Sequence, residues 1–202
     1  MHLEVLSDEQ QALLPLMKKF KRDYYLVGGT ALALQIGHRE SIDYDLFTGE
    51  DLKTNQILSK LDRSKIQKVT VDSAEQYSIV YNDVNLTFLH YPFSVEPDIE
   101  IGDNFRSVDP LTIGSMKAYA LGRRAKWKDY VDLYFILQMH TIEELLENTR
   151  KIYGKLFNDR LFLQQLCYFE DINHTEKVSY LPRQEISDET VQEKLIEIVK
   201  RI

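Results

Sequence analysis

Asp43 and Asp45 are the residues of this 202-residue chain whose types and spacing point most directly to chemistry. They lie in the run Ile42-Asp43-Tyr44-Asp45-Leu46, which reads as a strand. Side chains in a strand alternate faces, so the two carboxylates project together while Ile42, Tyr44 and Leu46 point the other way. Carboxylates held that close repel each other unless a cation lies between them. Hard oxygen ligands suit Mg²⁺, which takes one or two carboxylates and fills its shell with water and substrate phosphates. An Asp-x-Asp pair taken alone is more often a solvated surface feature or a cap. Here it ends a stretch from Val27 to Thr48 that also carries a Gly28-Gly29 turn, Thr30, Arg39 and Ser41. Glycines let backbone amides approach phosphates closely, and a helix opening behind them presents its positive end. The stretch reads as a metal-and-nucleotide site. The bland readings are that Gly28-Gly29 is a plain strand-to-helix turn and that Arg39 pairs with Glu40 or another acid. The turn is neither a P-loop nor a G-x-G-x-x-G fingerprint.

A second group lies in the later half: Lys117, Arg123, Arg124, Lys126, Lys128, Asp129 and Asp132. Asp129 and Asp132 are three apart and share a helix face. Asp132 stands among Val131, Leu133, Phe135 and Ile136, and a carboxylate in apolar surroundings requires a partner. Lys128, four residues earlier, offers a local salt bridge. Lys117, from the preceding helix, offers a positive charge held at a site. The run from Arg123 to Lys128 is either a solvated inter-helix loop or a place for the phosphates of a nucleotide or nucleic acid.

The elements that position these residues follow from pattern. Ser7 caps a helix whose apolar residues recur to Lys21, and Tyr24 to Val27 form a strand before the Gly-Gly turn. After the Asp43–Asp45 strand come a helix over Lys53–Leu61 and strands over Ile66–Val71, Tyr77–Tyr81 and Val84–Leu89. Asn82-Asp83 makes the last two a hairpin. Ile99 and Ile101 suggest one more short strand. Asp109-Pro110 is an N-cap with proline at the first helical position. Helices are predicted to Leu121, over Lys128–His140, from the Thr141-x-x-Glu144 capping box, over Arg160–Phe169 and over Asp188–Ile202. The expected fold is α/β (α+β): a small mixed sheet in residues 1–108, and a helical bundle in residues 109–202 that completes the site.

Composition excludes several functions. Lys plus Arg at 25 against Asp plus Glu at 32 gives a net charge of −7, unlike a protein that coats nucleic acid. The single cysteine, Cys167, cannot form an intrachain disulfide and sits in an apolar helical pattern, as a core residue of a cytoplasmic protein would. Met1-His2-Leu3-Glu4 lacks a signal-peptide start, and no apolar run approaches ~18 residues, so no membrane association is expected. The five histidines show no metal-ligand spacing, and no G-x-S-x-G elbow occurs.

Gly28-Gly29-Thr30-Ala31-Leu32, followed by His38-Arg39-x-Ser41-x-Asp43-x-Asp45-Leu46-Phe47, resembles the signature of the AbiEii/AbiGii-type toxin nucleotidyltransferases. These belong to the polymerase-β-like nucleotidyltransferase superfamily. Lys117 and Arg123-x-x-Lys126-x-Lys128-Asp129-Tyr130-x-Asp132-Leu133 resemble the family's second block. The resemblance spans Tyr24 to Leu137. It implies transfer of a nucleotidyl group from an NTP to an RNA (tRNA-like) or protein acceptor, and a cognate antitoxin as partner. By position, Asp43 and Asp45 would hold Mg²⁺. Gly28, Gly29 and Thr30 would contact the phosphates together with Arg39 and Ser41. Lys117 would neutralise the triphosphate, and Asp129 or Asp132 would orient it or assist catalysis. The superfamily commonly adds a third carboxylate on a neighbouring strand. The matching strand here, Val84 to Leu89, has no acid, and Thr87 takes the position facing the site. The alternative implied by that departure is a weak or inactive protein of the same fold that binds a nucleotide or a partner.

Overall fold

The computed structural model describes residues 1–121, 123–170 and 172–202. The chain divides into two compact units, Met1–Asp109 and Pro110–Ile202.

In the first unit, helices α1 (Asp8–Ala12) and α2 (Leu14–Met17) precede strand β1 (Tyr25–Val27), helix α3 (Gly28–Ile36) and strand β2 (Asp43–Thr48). Helix α4 (Thr54–Lys60) leads to β3 (Ile66–Asp72), β4 (Gln76–Tyr81), β5 (Val84–His90), β6 (Ile99–Ile101) and β7 (Phe105–Ser107). The strands form one mixed sheet in the order β3-β4-β5-β2-β1-β7-β6. The parallel pairs are β2 with β5 and β1 with β7, and the other pairings are antiparallel. The single helix expected before Lys21 is two short ones, because Pro15 stands at the start of the second and cannot supply a backbone N–H. Asn82 and Asp83 both take positive φ, the backbone of a two-residue hairpin turn between β4 and β5. Strand β7 was not foreseen: three residues with an arginine at the centre leave no periodic signal.

The sheet has two unlike faces. Tyr44 and Leu46 pair in register with Leu86 and Phe88, and all four are buried. Phe20 and Tyr24 pack their rings on Phe88 at 4.9 and 5.3 Å between centroids. Burial of each such side chain stabilises the unit by roughly 1.5–3 kcal/mol. Helix α1, closed by a Ser7–Gln10 capping box, is tied beneath β2 where the Tyr44 hydroxyl donates to the Gln10 carbonyl at 3.1 Å. The opposite face carries Asp43, Asp45, Asn85, Thr87 and Ser78.

The second unit is helical: α5 (Pro110–Leu121), α6 (Trp127–Ile136), α7 (Ile142–Tyr153), α8 (Asp159–Leu166) and α9 (Asp188–Val199). They enclose a core built on Tyr130, Leu133, Leu145, Phe162 and Leu195. Gly114 lets α5 approach closely, since a β-carbon there would stand 3.1 Å from methyls of Ile136 and Leu145. The Thr141–Glu144 capping box opens α7. No helix among the described residues is long and apolar enough to cross a membrane.

Candidate functional site

Strand β1 ends at Val27 and the chain turns directly into α3, which Gly28 enters at φ +72°. A left-handed conformation of this kind suits glycine and strains other residues. The turn places the first residue of α3 against β2, because Val27 pairs with Asp45. The Asp45 carboxylate fills the space that a side chain on Gly28 would occupy: a β-carbon there would lie 2.5 Å from Asp45 Oδ2. A carboxylate at a helix N-terminus meets the unsatisfied amides and the positive end of the helix dipole.

Asp43, two residues earlier on the same face, accepts a hydrogen bond from Asn85 Nδ2 at 2.8 Å across the β2–β5 pairing. The next register pair is Asp45 with Thr87, and Thr87 pairs in turn with Ser78 on β4. The Ser78 hydroxyl donates to Thr87 Oγ1 at 3.2 Å, and Gln76 Nε2 donates to Ser78 Oγ at 2.9 Å. On β5 and β4, the strand neighbours of the carboxylates in this lane are neutral hydrogen-bonding groups. Thr87 stands where the sequence placed it, opposite an acid and without charge of its own. Asn85 was missed, although it lies two residues before Thr87 on the same face and strand alternation points to it.

Thr30, Arg39 and Ser41 lie behind the turn. The buried Thr30 hydroxyl donates to the main-chain oxygen of Asp43, and Ser41 Oγ stands 2.8 Å from Thr30 Oγ1. Arg39, only 2% exposed, lies against Gly29: a β-carbon there would be 2.4 Å from its Nη2. Its other terminal nitrogen donates to the Glu40 carbonyl at 2.8 Å. The Thr30 hydroxyl ties α3 to the strand that carries the carboxylates, with Ser41 bonded to Thr30 and Arg39 lying against Gly29. The main chain of Gly28 and Gly29 is the part of the turn without side chains of its own.

Two carboxylates on one strand face, one backed by an amide and one seated at a helix N-terminus, are a donor set that fits a hard divalent cation. Among the described residues, no group of three or more His, Cys, Asp or Glu is arranged to hold a metal.

In the helical unit, Lys117 Nζ lies 2.7 Å from Asp129 Oδ1 and 2.6 Å from Asp132 Oδ2. All three side chains are buried, and Arg124 Nε stands 3.7 Å from Asp129 Oδ2. Of the two partners the sequence offered to Asp132, the structure selects Lys117. Lys128 turns instead to Glu176, whose two oxygens take Lys126 and Lys128 at 2.8 Å each. Hydrogen bonds from these two lysines pull the Glu176 carboxyl down to about 2. The same pairings account for half of the Arg123–Lys128 basic run by acids within the unit. Cys167 is half-buried, and burial pushes its thiol above the usual range, as expected of a packing residue.

No protein-family model matches the chain. The chain is 29% identical over 156 residues to the uncharacterized protein aq_aa25 of Aquifex aeolicus (strain VF5), covering 74% of this chain and 75% of that one. Several solved structures share its fold, among them the following two. One is MenT4, the nucleotidyltransferase toxin Rv2826c from Mycobacterium tuberculosis H37Rv: TM-score 0.59, 16% identity, 96% of this chain and 82% of that chain covered. The other is a candidate nucleotidyltransferase from H. pylori: TM-score 0.58, 18% identity, 96% and 92% covered. The chain therefore has the mixed-sheet fold, followed by a helical region, that these nucleotidyltransferases have.

Proposed function

We propose that the protein is a Mg²⁺-dependent nucleotidyltransferase of the AbiEii/AbiGii toxin type, acting in the cytoplasm and restrained by a cognate antitoxin. It moves a nucleoside monophosphate from an NTP to a hydroxyl acceptor. The observation that carries this reading is the seating of Asp45 against Gly28, with Asp43 beside it on β2. That arrangement puts two carboxylates at the N-terminus of a nine-residue helix entered through a glycine pair. The fold shared with nucleotidyltransferases supports it.

In this reading Asp43 and Asp45 hold the cation, and main-chain amides of the Gly28-Gly29 turn bind triphosphate oxygens. Held by Asp43 and Asp45, Mg²⁺ would supply positive charge to offset what builds on the leaving pyrophosphate. The acceptor oxygen forms its bond to the α-phosphorus as the bond to the bridging oxygen breaks, and the acceptor proton passes to solvent. Thr30, Arg39 and Ser41 keep the turn and the carboxylates in register. Lys117, Asp129 and Asp132 form a buried charged cluster in the helical unit, which we assign to binding and orienting the nucleotide.

The acceptor is an RNA or a protein hydroxyl, and the charge distribution permits RNA. Residues 1–109 hold 18 acidic and 11 basic side chains, whereas residues 110–202 hold 14 of each. The whole net charge of −7 thus belongs to the first unit, and the helical unit offers a phosphate backbone no net repulsion.

Incubation with labelled NTPs, Mg²⁺ and total cellular RNA or protein tests the proposal. Incorporation that Asp45→Ala abolishes supports it, and the labelled fraction identifies the acceptor. NTP binding without incorporation into either fraction would favour a nucleotide-binding protein without transfer activity, the reading that neutral Thr87 supports.

A further inference from the structure

We propose that the cleft between the C-terminal end of α5 and helix α8 docks an acidic segment of a partner protein. That segment seats one apolar side chain in the cleft and sets a carboxylate on Arg123. Such docking is independent of the nucleotide site proposed above.

The cleft is an open cavity of about 290 Å³ with a mostly apolar lining. Buried Phe162 and half-buried Phe157 stand with their rings 5.7 Å apart. Leu156 and Leu161 line the same cavity and are 62% and 59% exposed. A single exposed leucine is ordinary on a protein surface. Two on one concave surface, continuous with a buried phenylalanine, form an apolar patch of the kind that a partner covers.

The charge around the cleft is of one sign. Among the described residues, Arg123 is the only charged group in the lining. Its guanidinium lies 3.7 Å from the ring centre of Tyr119, and Nη1 donates to the Tyr119 carbonyl at 2.9 Å. Tyr153 stacks on Tyr119 at 3.8 Å and 5°, so it and the guanidinium take opposite faces of that ring. Arg123 is thus exposed yet held in place, and a carboxylate that meets it gains a charge-assisted hydrogen bond at little cost in further ordering. Lys155 and Arg160, both exposed, each precede one of the two leucines in the chain. Among the described residues no acid pairs with Arg123, Lys155 or Arg160, and Asp159 beside them is taken by Arg150 at 2.9 Å. Asn158 Oδ1 accepts from the Leu161 amide, which leaves its side-chain nitrogen to donate to a peptide carbonyl.

The same features choose between occupants. A nucleobase binds largely by stacking on an open ring face, and both faces of Tyr119 are occupied. Aliphatic walls, a fixed cation and an amide donor suit a peptide that carries an acid beside an apolar side chain.

A displayed library of random peptides, selected on the full chain, supplies the probes, and the enriched peptides are titrated by fluorescence anisotropy. They are expected to carry Asp or Glu next to a large apolar residue and to bind less tightly as salt rises. Leu161→Asp and Arg123→Gln are each expected to weaken binding by about 10-fold or more. Met139→Asp, at an exposed apolar position that does not line the cleft, is expected to leave it unchanged. Thermal melts of the three variants are expected to overlay on wild type, since all three side chains are exposed. No enrichment, or enriched peptides without acids, would overturn the proposal. So would peptide binding that Leu161→Asp and Arg123→Gln leave within about twofold of wild type. Single-stranded RNA that binds in place of peptide, and is lost in the same two variants, would overturn it in favour of a nucleic-acid site.

Discussion

Gly28 and Asp45 share one small volume: the carboxylate of Asp45 stands where the β-carbon of any other residue at position 28 would have to be. The contact couples the turn into α3 to the strand that carries both acids. Gly28 is required twice over, by its φ of +72° and by the 2.5 Å approach of Asp45 Oδ2.

Gly28→Ala is therefore expected to destabilise the first unit by about 1–3 kcal/mol through backbone strain and to push the Asp45 carboxylate off the helix N-terminus. Chemical denaturation gives the first effect and Mn²⁺ titration the second. Stability and Mn²⁺ affinity equal to wild type would contradict the coupling.

Thr30 provides a milder test of the same region. Thr30→Val keeps the buried shape and removes the hydroxyl that bonds to the Asp43 main chain. The expected cost is about 1 kcal/mol from the lost hydrogen bond, with the Asp43 carbonyl left to find another donor. Equilibrium unfolding in urea measures it.

In the helical unit Lys117 lies between two buried carboxylates. Lys117→Met retains the length of the side chain and leaves Asp129 and Asp132 facing each other without it. Breaking a buried ion pair in this way is expected to cost about 3–5 kcal/mol. Removing the lysine and both acids together, as Lys117→Met with Asp129→Asn and Asp132→Asn, should restore part of that loss. Equal stabilities of the single and triple variants would contradict the assignment of the cost to unpaired charge.

Much of this was legible in the sequence, because the signals are local. Alternation in Ile42 to Leu46 gave the shared face of the carboxylates, and the same rule set Thr87 opposite the acids. Asn82-Asp83 and the Thr141–Glu144 box each carry their own turn or cap chemistry. Other features depend on register or on distant partners. Alternation from Thr87 puts Asn85 on the same face, but its bond to Asp43 depends on the parallel pairing of β2 with β5, which residues 49–83 separate in the chain. Thr30, Arg39 and Ser41 were expected at the phosphates; their contacts behind the turn, Thr30 to Ser41 and to the Asp43 main chain and Arg39 against Gly29, join residues 11 or more positions apart or depend on the fold of the turn. The choice of Lys117 over Lys128 for Asp132 depends on Glu176, a loop residue about 50 positions downstream, drawing Lys128 away.

Glu176 gives a pH signature. Its folded carboxyl sits at about 2, below the ordinary 4.5, so its pairing with Lys126 and Lys128 contributes fully above pH 4.5. The contribution is lost as pH falls from there toward 2. The group is nearly half-exposed, so the effect is small and screened by salt. Thermal melts between pH 5 and 2 (roughly the window set by the two values) should fall less steeply for Glu176→Gln than for wild type at low ionic strength. Parallel curves would show that the two lysines do not hold this carboxylate.

The most direct test of the central claim follows the fate of each phosphate. Protein, Mg²⁺ and total cellular RNA are incubated with an NTP labelled at the α-phosphorus, and separately with one labelled at the γ-phosphorus. Nucleotidyl transfer predicts that the α label enters the acceptor while the γ label appears only in pyrophosphate, with Asp43→Asn and Asp45→Asn both inactive. Label entering the acceptor from the γ position, or α-label transfer that survives loss of both carboxylates, would contradict it.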